Sequence, residues 1–164
     1  MTTVELEQRL QALEDIDAIR SLKAHYLACC DAKDPLGMRA CFADGPVAID
    51  YGVVGKFESA EPLVEIFKQI GCHPHMVEMH HGVNPRIKLL GPGKAEGLWG
   101  LHYQLINTND NTLTQLGAYY EDAYVKTAAG WKISATKCVV TSTLVLKLGA
   151  EATAALVIGR VAAG

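Results

Sequence analysis

The sequence predicts an α+β fold, with N-terminal helices packed on one face of a strongly curved, mostly antiparallel sheet. Three observations carry this. Helix-spaced apolar residues are confined to the first 71 positions, while Met76 to Leu146 reads as long strand-like segments separated by Gly, Pro and Asn turns. A chain of 164 residues with 49% hydrophobic residues can also bury one substantial core. No internal repeat or low-complexity tract divides it, so residues 1–164 are read as a single domain.

From Val4 to Cys30, the residues Leu6, Leu10, Leu13, Ile16, Ile19, Leu22, Tyr26 and Cys29 recur every three or four positions, which predicts one long amphipathic helix. Asp34 followed by Pro35 is a cap and first-turn pair, so a short helix is expected from there to Phe42, ended by Gly45-Pro46. Val47 to Tyr51 predicts a short strand, and the glycines at 52 and 55 turn the chain into a second arm at Lys56 and Phe57. A third helix opens at Ser59, with Pro62 in its first turn and Leu63, Val64, Ile66, Phe67 and Ile70 on its buried side. It stops at Gly71. Strands follow over 76–90, 95–106, 113–126 and 131–144, joined as hairpins through Gly91-Pro92-Gly93, Asn109-Asp110-Asn111 and Ala129-Gly130.

Within Leu98 to Ile106 both alternating sets are mostly apolar: Leu98, Gly100, His102 and Gln104 on one face, Trp99, Leu101, Tyr103 and Leu105 on the other. Helices cover only one face of such a sheet, so a second subunit is expected on the other, making the protein a homo-oligomer. Residues 145–164 form a small-residue, apolar tail that is read as a lid over a pocket, an oligomer contact or a frayed end.

Fifteen Lys and Arg against eighteen Asp and Glu give a formal charge of -3, which excludes the basic field a nucleic-acid partner requires. The five cysteines, at 29, 30, 41, 72 and 138, are odd in number and contain no CxxC pair, which argues against a disulfide framework and a thiolate metal site. Together with an acidic N-terminus lacking a signal core, they predict a cytoplasmic protein. No run approaches the roughly 18 apolar residues of a membrane span, so no membrane association is expected.

Few polar groups break the apolar pattern, and these are the candidates for chemistry. Asp31 closes the first helix, where the carbonyl end of the dipole makes a hydrogen-bond donor valuable to a carboxylate. His80 lies in a strand in phase with Glu78, while His81 points the other way, and His102 lies mid-strand between Leu101 and Tyr103, where burial is expected. A buried imidazole that meets a carboxylate gains basicity and a fixed tautomer, the needs of a general base. Asp31 with His80 would make that dyad, near tyrosines at 26, 51 and 120; the competing reading is that each His is a hydrogen-bonded core residue.

His73, His75, His80 and His81 supply four imidazoles within nine residues, but neighbours in a strand face opposite ways and no thiolate or carboxylate pair completes a set, so no metal is predicted. There is no GxSxG elbow and no phosphate loop, and Gly91-Pro92-Gly93 has only the character of a hairpin turn. Lys23, Arg39 and Lys137 are read as solvated or paired.

Taken in order, Asp31-Ala32-Lys33-Asp34, Ile49-Asp50-Tyr51, Met79-His80-His81-Gly82, Gly100-Leu101-His102, and Tyr124 followed by Gly130-Trp131-Lys132 resemble the SnoaL-like branch of the NTF2-like superfamily, which includes scytalone dehydratase and bile-acid 7α-dehydratase. The resemblance spans residues 8 to 145. It implies a cone with a deep pocket between helices and sheet, and an enzyme needing neither cofactor nor metal. It further implies Asp31 and His80 as catalytic pair, Tyr51 and His102 as further catalytic groups, and Tyr26, Tyr120 and Cys30 as substrate-binding positions. Tyr120 and Cys30 depart from scytalone dehydratase, which has asparagine and tyrosine there, and this argues for a different substrate. The activity implied is a hydro-lyase acting on a cyclic hydroxy-carbonyl small molecule, steroid-like or polyketide-like. A ring isomerase, a polyketide cyclase and a non-catalytic binding protein are the alternatives on this fold. Family analogy favours a trimer over a dimer.

Overall fold

The structure is a computed structural model and describes residues 2–149. Helix α1 (Thr3–Asp31) begins at a capping box in which Thr2 Oγ1 accepts from the Glu5 amide at 3.2 Å and Glu5 Oε2 accepts from the Thr2 amide at 2.7 Å. Its apolar stripe is used unevenly. Leu6, Leu10 and Leu13 are more than half exposed, whereas Ile19, Lys23, Tyr26, Leu27 and Cys30 are buried at helical spacing. The predicted helix is therefore present, but only its C-terminal half lies on the core of this chain.

Asp34 caps the short α2 (Pro35–Ala40), accepting from the Gly37 amide at 2.9 Å. Strands β1 (Ala48–Asp50) and β2 (Lys56–Phe57) are joined by a short 3-10 turn at Gly52–Val54. Helix α3 (Ala60–Ile70) follows Ser59, which occupies the cap position without a side-chain bond to the helix. Four long strands complete the chain: β3 (Met76–Gly91), β4 (Lys94–Asn107), β5 (Thr112–Thr127) and β6 (Gly130–Lys147).

The six strands form one mixed, open sheet in the order β2-β1-β6-β5-β4-β3, antiparallel except where β1 pairs with β6. Irregular pairing at Val83/Arg86 in β3, and at Gly117/Ala118 and Ala123/Tyr124 in β5, adds the local twist that bends long strands into a cupped surface. The helices close over one face, with Ile19, Tyr26 and Leu27 packed against the sheet residues Trp99, Leu101, Tyr124 and Ile133.

The α+β architecture agrees with the sequence reading, and the two faces of β4 separate as the alternation requires. Trp99 and Leu101 are buried beneath the helices, while His102 faces outward. On this outer side and along the end of β6, Val83, Leu144, Val145 and Leu146 are exposed in the isolated chain, while the exposed Val140 faces the cavity. The predicted tail divides: residues 145–147 belong to β6, 148 and 149 follow it outside the strand, and 150–164 lie outside the described residues. Among the described residues no helix is long and apolar enough to cross a membrane.

Candidate active site

A cavity of about 410 Å³ opens between the helices and the cupped sheet. Its walls are mostly hydrocarbon: Met38, Leu63, Ile66 and Phe67 from the helical side, and Leu101, Leu105 and Leu116 from the sheet. Against that background the few polar side chains facing the space define what it can do.

Asp31 is the last residue of α1, and His80 lies on β3 opposite it. The carboxylate holds the histidine twice. Its two oxygens accept the His80 backbone N–H at 3.1 Å each, and Oδ1 stands 2.6 Å from the ring Nδ1. With Nδ1–H donating to Asp31, the network assigns the tautomer that leaves a lone pair on Nε2. The His80 side chain is only 13% exposed and Asp31 32%, so the imidazole is mostly dry while its carboxylate partner keeps some contact with water. A base held by an oriented carboxylate is the arrangement that proton abstraction uses.

Deeper in, the hydroxyls of Tyr26 and Tyr51 are 2.7 Å apart, and the Tyr51 and Tyr120 rings are 6.0 Å apart. Burial pushes all three phenols well above the ordinary tyrosine range, so they stay protonated and act as hydrogen-bond donors. Cys30 is part of the same wall. Burial, reinforced by the charge of Glu78, raises its thiol to about 12, which makes it an apolar surface and removes it as a nucleophile.

His102 is where the structure corrects the sequence reading. The cavity side of β4 is the set Leu101, Tyr103 and Leu105, and His102 projects from the opposite face, exposed, with its ring 6.5 Å from that of His81. Leu101 and Tyr103 flank it in sequence, but strand neighbours face opposite ways, so their burial says nothing of its own. His102 does not line the cavity.

Tyr103 stands there instead. It pairs across the sheet with His80, and the two rings are 4.7 Å apart. Its hydroxyl donates to Glu78 Oε1 at 2.8 Å, and Glu78 in turn forms an ion pair with Lys33. Burial and then the Glu78 charge raise the Tyr103 phenol. Lys33 follows Asp31 by two residues, as Glu78 precedes His80 by two, so this bridge runs beside the dyad between the same helix end and the same strand. Lys33 also adopts φ 59, a left-handed conformation that glycine fills at lower cost, and its side chain is only 10% exposed. The phase of Glu78 with His80 was legible in the sequence; Tyr103 and Lys33 required the strand register and the backbone turn.

The remaining histidines lie elsewhere. His73 and His75 stack at 5.2 Å, and His73 Nε2–H donates to the Gln69 carbonyl at 2.7 Å. His80 and His81 face opposite sides of β3. Lys23 is paired, as expected, with Asp122 at 2.8 Å, although both side chains are completely buried and neither was singled out as part of the core.

Solved structures share this arrangement of elements. A candidate scytalone dehydratase from Novosphingobium aromaticivorans superimposes with a TM-score of 0.74 at 21% identity, covering 92% of this chain and 97% of its own. The hexachlorocyclohexane dehydrochlorinase LinA type 3 from Novosphingobium barchaimii gives 0.73 at 18% identity, covering 84% and 94%. An NTF2-like protein from Novosphingobium aromaticivorans gives 0.70 at 14% identity, covering 85% and 90%. At these identities the likeness is one of fold. Residues 11–137 match the SnoaL-like domain family along most of the chain, and the protein belongs to that family.

Proposed function

We propose that this protein is a cofactor-independent hydro-lyase that eliminates water from a cyclic β-hydroxycarbonyl compound. The observation that carries the reading is the 2.6 Å contact between Asp31 and His80, made at the wall of a mostly apolar cavity. His80 Nε2 takes the acidic proton from the carbon next to the carbonyl, and Asp31 stabilises the imidazolium that results. The Tyr51 hydroxyl, accepting the 2.7 Å bond from Tyr26, donates its own proton to the carbonyl oxygen as enolate charge develops there.

With His102 turned away, the departing hydroxyl receives its proton from the imidazolium itself. Proton balance then closes on one residue, and elimination occurs from the face of the substrate that meets His80. Tyr103, whose own proton is committed to Glu78, presents lone pairs beside His80 and accepts a hydrogen bond from a substrate hydroxyl. Apolar walls around these groups suit a fused-ring or aromatic-like skeleton of steroid or polyketide type. Both a candidate dehydratase and a dehydrochlorinase stand among the proteins of similar fold, and both named activities are eliminations.

The test is turnover of a panel of cyclic β-hydroxyketones, followed by the ultraviolet absorbance of the conjugated enone, with His80→Ala as the reference. Enone formation that falls at least ~100-fold in the variant supports the base assignment. Equal rates in both proteins reject it, and a product with a shifted double bond and no loss of water identifies a ring isomerase instead. The five free cysteines suit a reducing, cytoplasmic setting, the exposed apolar residues of the outer sheet suit a neighbouring subunit, and family analogy favours a trimer, which mass measurement in solution checks.

A further inference from the structure

Beneath the inner end of the cavity lies a charge that the elimination mechanism does not use. Lys23 is completely buried on the inner side of α1, and its partner Asp122 on β5 is buried as fully. Asp122 is well satisfied: it accepts from Tyr124 at 2.7 Å and from Thr136 at 2.7 Å, and Trp99 fixes Tyr124 in turn through a 2.9 Å bond. The Lys23 ammonium is not. It lies 2.8 Å from Asp122, yet among the described residues no acceptor is aligned on its N–H groups.

What the ammonium meets instead is the cavity floor. Nζ sits 3.5 Å from the centre of the Tyr120 ring and 5.1 Å from that of Tyr26, and both rings line the cavity. The ion pair is thus a buried dipole whose positive end lies beneath two tyrosine rings and reaches the cavity-wall thiols of Cys30 and Cys138, while its negative end, held by Tyr124 and Thr136, offsets part of that charge at Tyr51 and Tyr120. A pair serving stability alone gains nothing from this polarity, and apolar residues of equal volume often fill such a site at no loss.

We propose that Lys23 is a positioning residue that makes the inner end of the cavity selective for an anionic oxygen, an enolate or phenolate held by the Tyr51 hydroxyl with Tyr26 donating to Tyr51 behind it. It touches no reactant. Its charge acts through the face of Tyr120 and along the Tyr26 phenol, where the low dielectric preserves it. The substrate class narrows accordingly, to compounds whose carbonyl enters first and whose enolate oxygen ends over Lys23, with the acidic carbon left beside His80. This deepens the proposed elimination and rests on it for that orientation, but the charge preference itself is measurable without turnover.

The probes are 4-nitrophenolate and its neutral ether 4-nitroanisole, with dissociation constants measured at a pH where the phenol is ionised. The wild type binds the phenolate more tightly than the ether. Lys23→Met combined with Asp122→Asn removes both charges and keeps the acceptor for Thr136. It weakens phenolate binding by roughly three- to tenfold, the remainder left when Asp122 cancels part of a buried unit charge, and leaves the ether unchanged. A purely structural ion pair would change the melting temperature and not this ratio.

An unchanged ratio in the double variant overturns the proposal. So does a wild type that binds no phenolate or prefers the ether, a measurement that stands even when the variant does not fold. His80→Ala separates the two readings: phenolate preference persisting there, with turnover lost, upholds both. Preference retained with turnover intact removes the dyad and leaves the Lys23 site standing.

Discussion

Replacing Asp31 by Asn tests the dyad at nearly constant shape. The amide still accepts the His80 backbone N–H, but its NH2 group or uncharged oxygen now meets Nδ1, which loses both the tautomer lock and the negative charge facing an imidazolium. A hydrogen bond to a charged group is worth about 1.5–3 kcal/mol. Full Coulomb attraction at about 4 Å between charge centres would reach about 4 kcal/mol at an effective dielectric of 20. Asp31 is 32% exposed, so solvent screens part of this and the lower range applies.

A loss of about 2–3 kcal/mol from the transition state lowers turnover about 30- to 150-fold. Folding should be nearly untouched. If the lost contact costs about 1 kcal/mol of stability, melting falls by only about 2–4 °C for a chain of this size. The assay is deuterium exchange at the α carbons of 2-tetralone, followed by proton NMR, because exchange reports the base without requiring the natural substrate. Exchange in Asp31→Asn within about threefold of wild type refutes the reasoning; so would a fall matched by general unfolding.

Three further outcomes are expected. Tyr51→Phe removes one donor to the enolate oxygen and lowers turnover about tenfold or more with little change in KM, read from steady-state kinetics; an equal kcat removes Tyr51 from the mechanism. His102→Ala, on the outer face, leaves kcat/KM unchanged, whereas Tyr103→Phe lowers it, and a paired measurement with the opposite order would restore the sequence-based assignment. The protein loses stability on the alkaline side: the Cys30 thiol, about 12 in the fold against an ordinary 9.0, keeps its proton where the unfolded chain has released it. Between those values the native state binds more protons, so stability falls as pH rises, by on the order of 4 kcal/mol for this group. The buried phenols act in the same direction, and urea midpoints measured from pH 8 to 11 check the sign.

The elements were legible because their signals are local. Helical spacing from Val4 to Cys30, the Asp34-Pro35 start and the turn residues between the long strands all fall within a few positions of the backbone they govern. Asp31 and His80 were readable for a related reason: a carboxylate at a helix end and an imidazole among apolar neighbours each call for a partner, and the structure joins them at 2.6 Å. His102 failed because its burial was inferred from residues that face the other way.

Chain chemistry alone therefore settled which segments are helix and strand and which polar groups needed explaining. Tertiary structure decided which of those groups share a cavity. Strand register brought Tyr103, and not His102, beside His80, and the left-handed turn at Lys33 carried an ammonium to Glu78. Helix-to-sheet packing set Lys23 over Tyr120. Each is a contact between residues far apart in sequence, fixed by how whole elements pack and invisible to any local pattern.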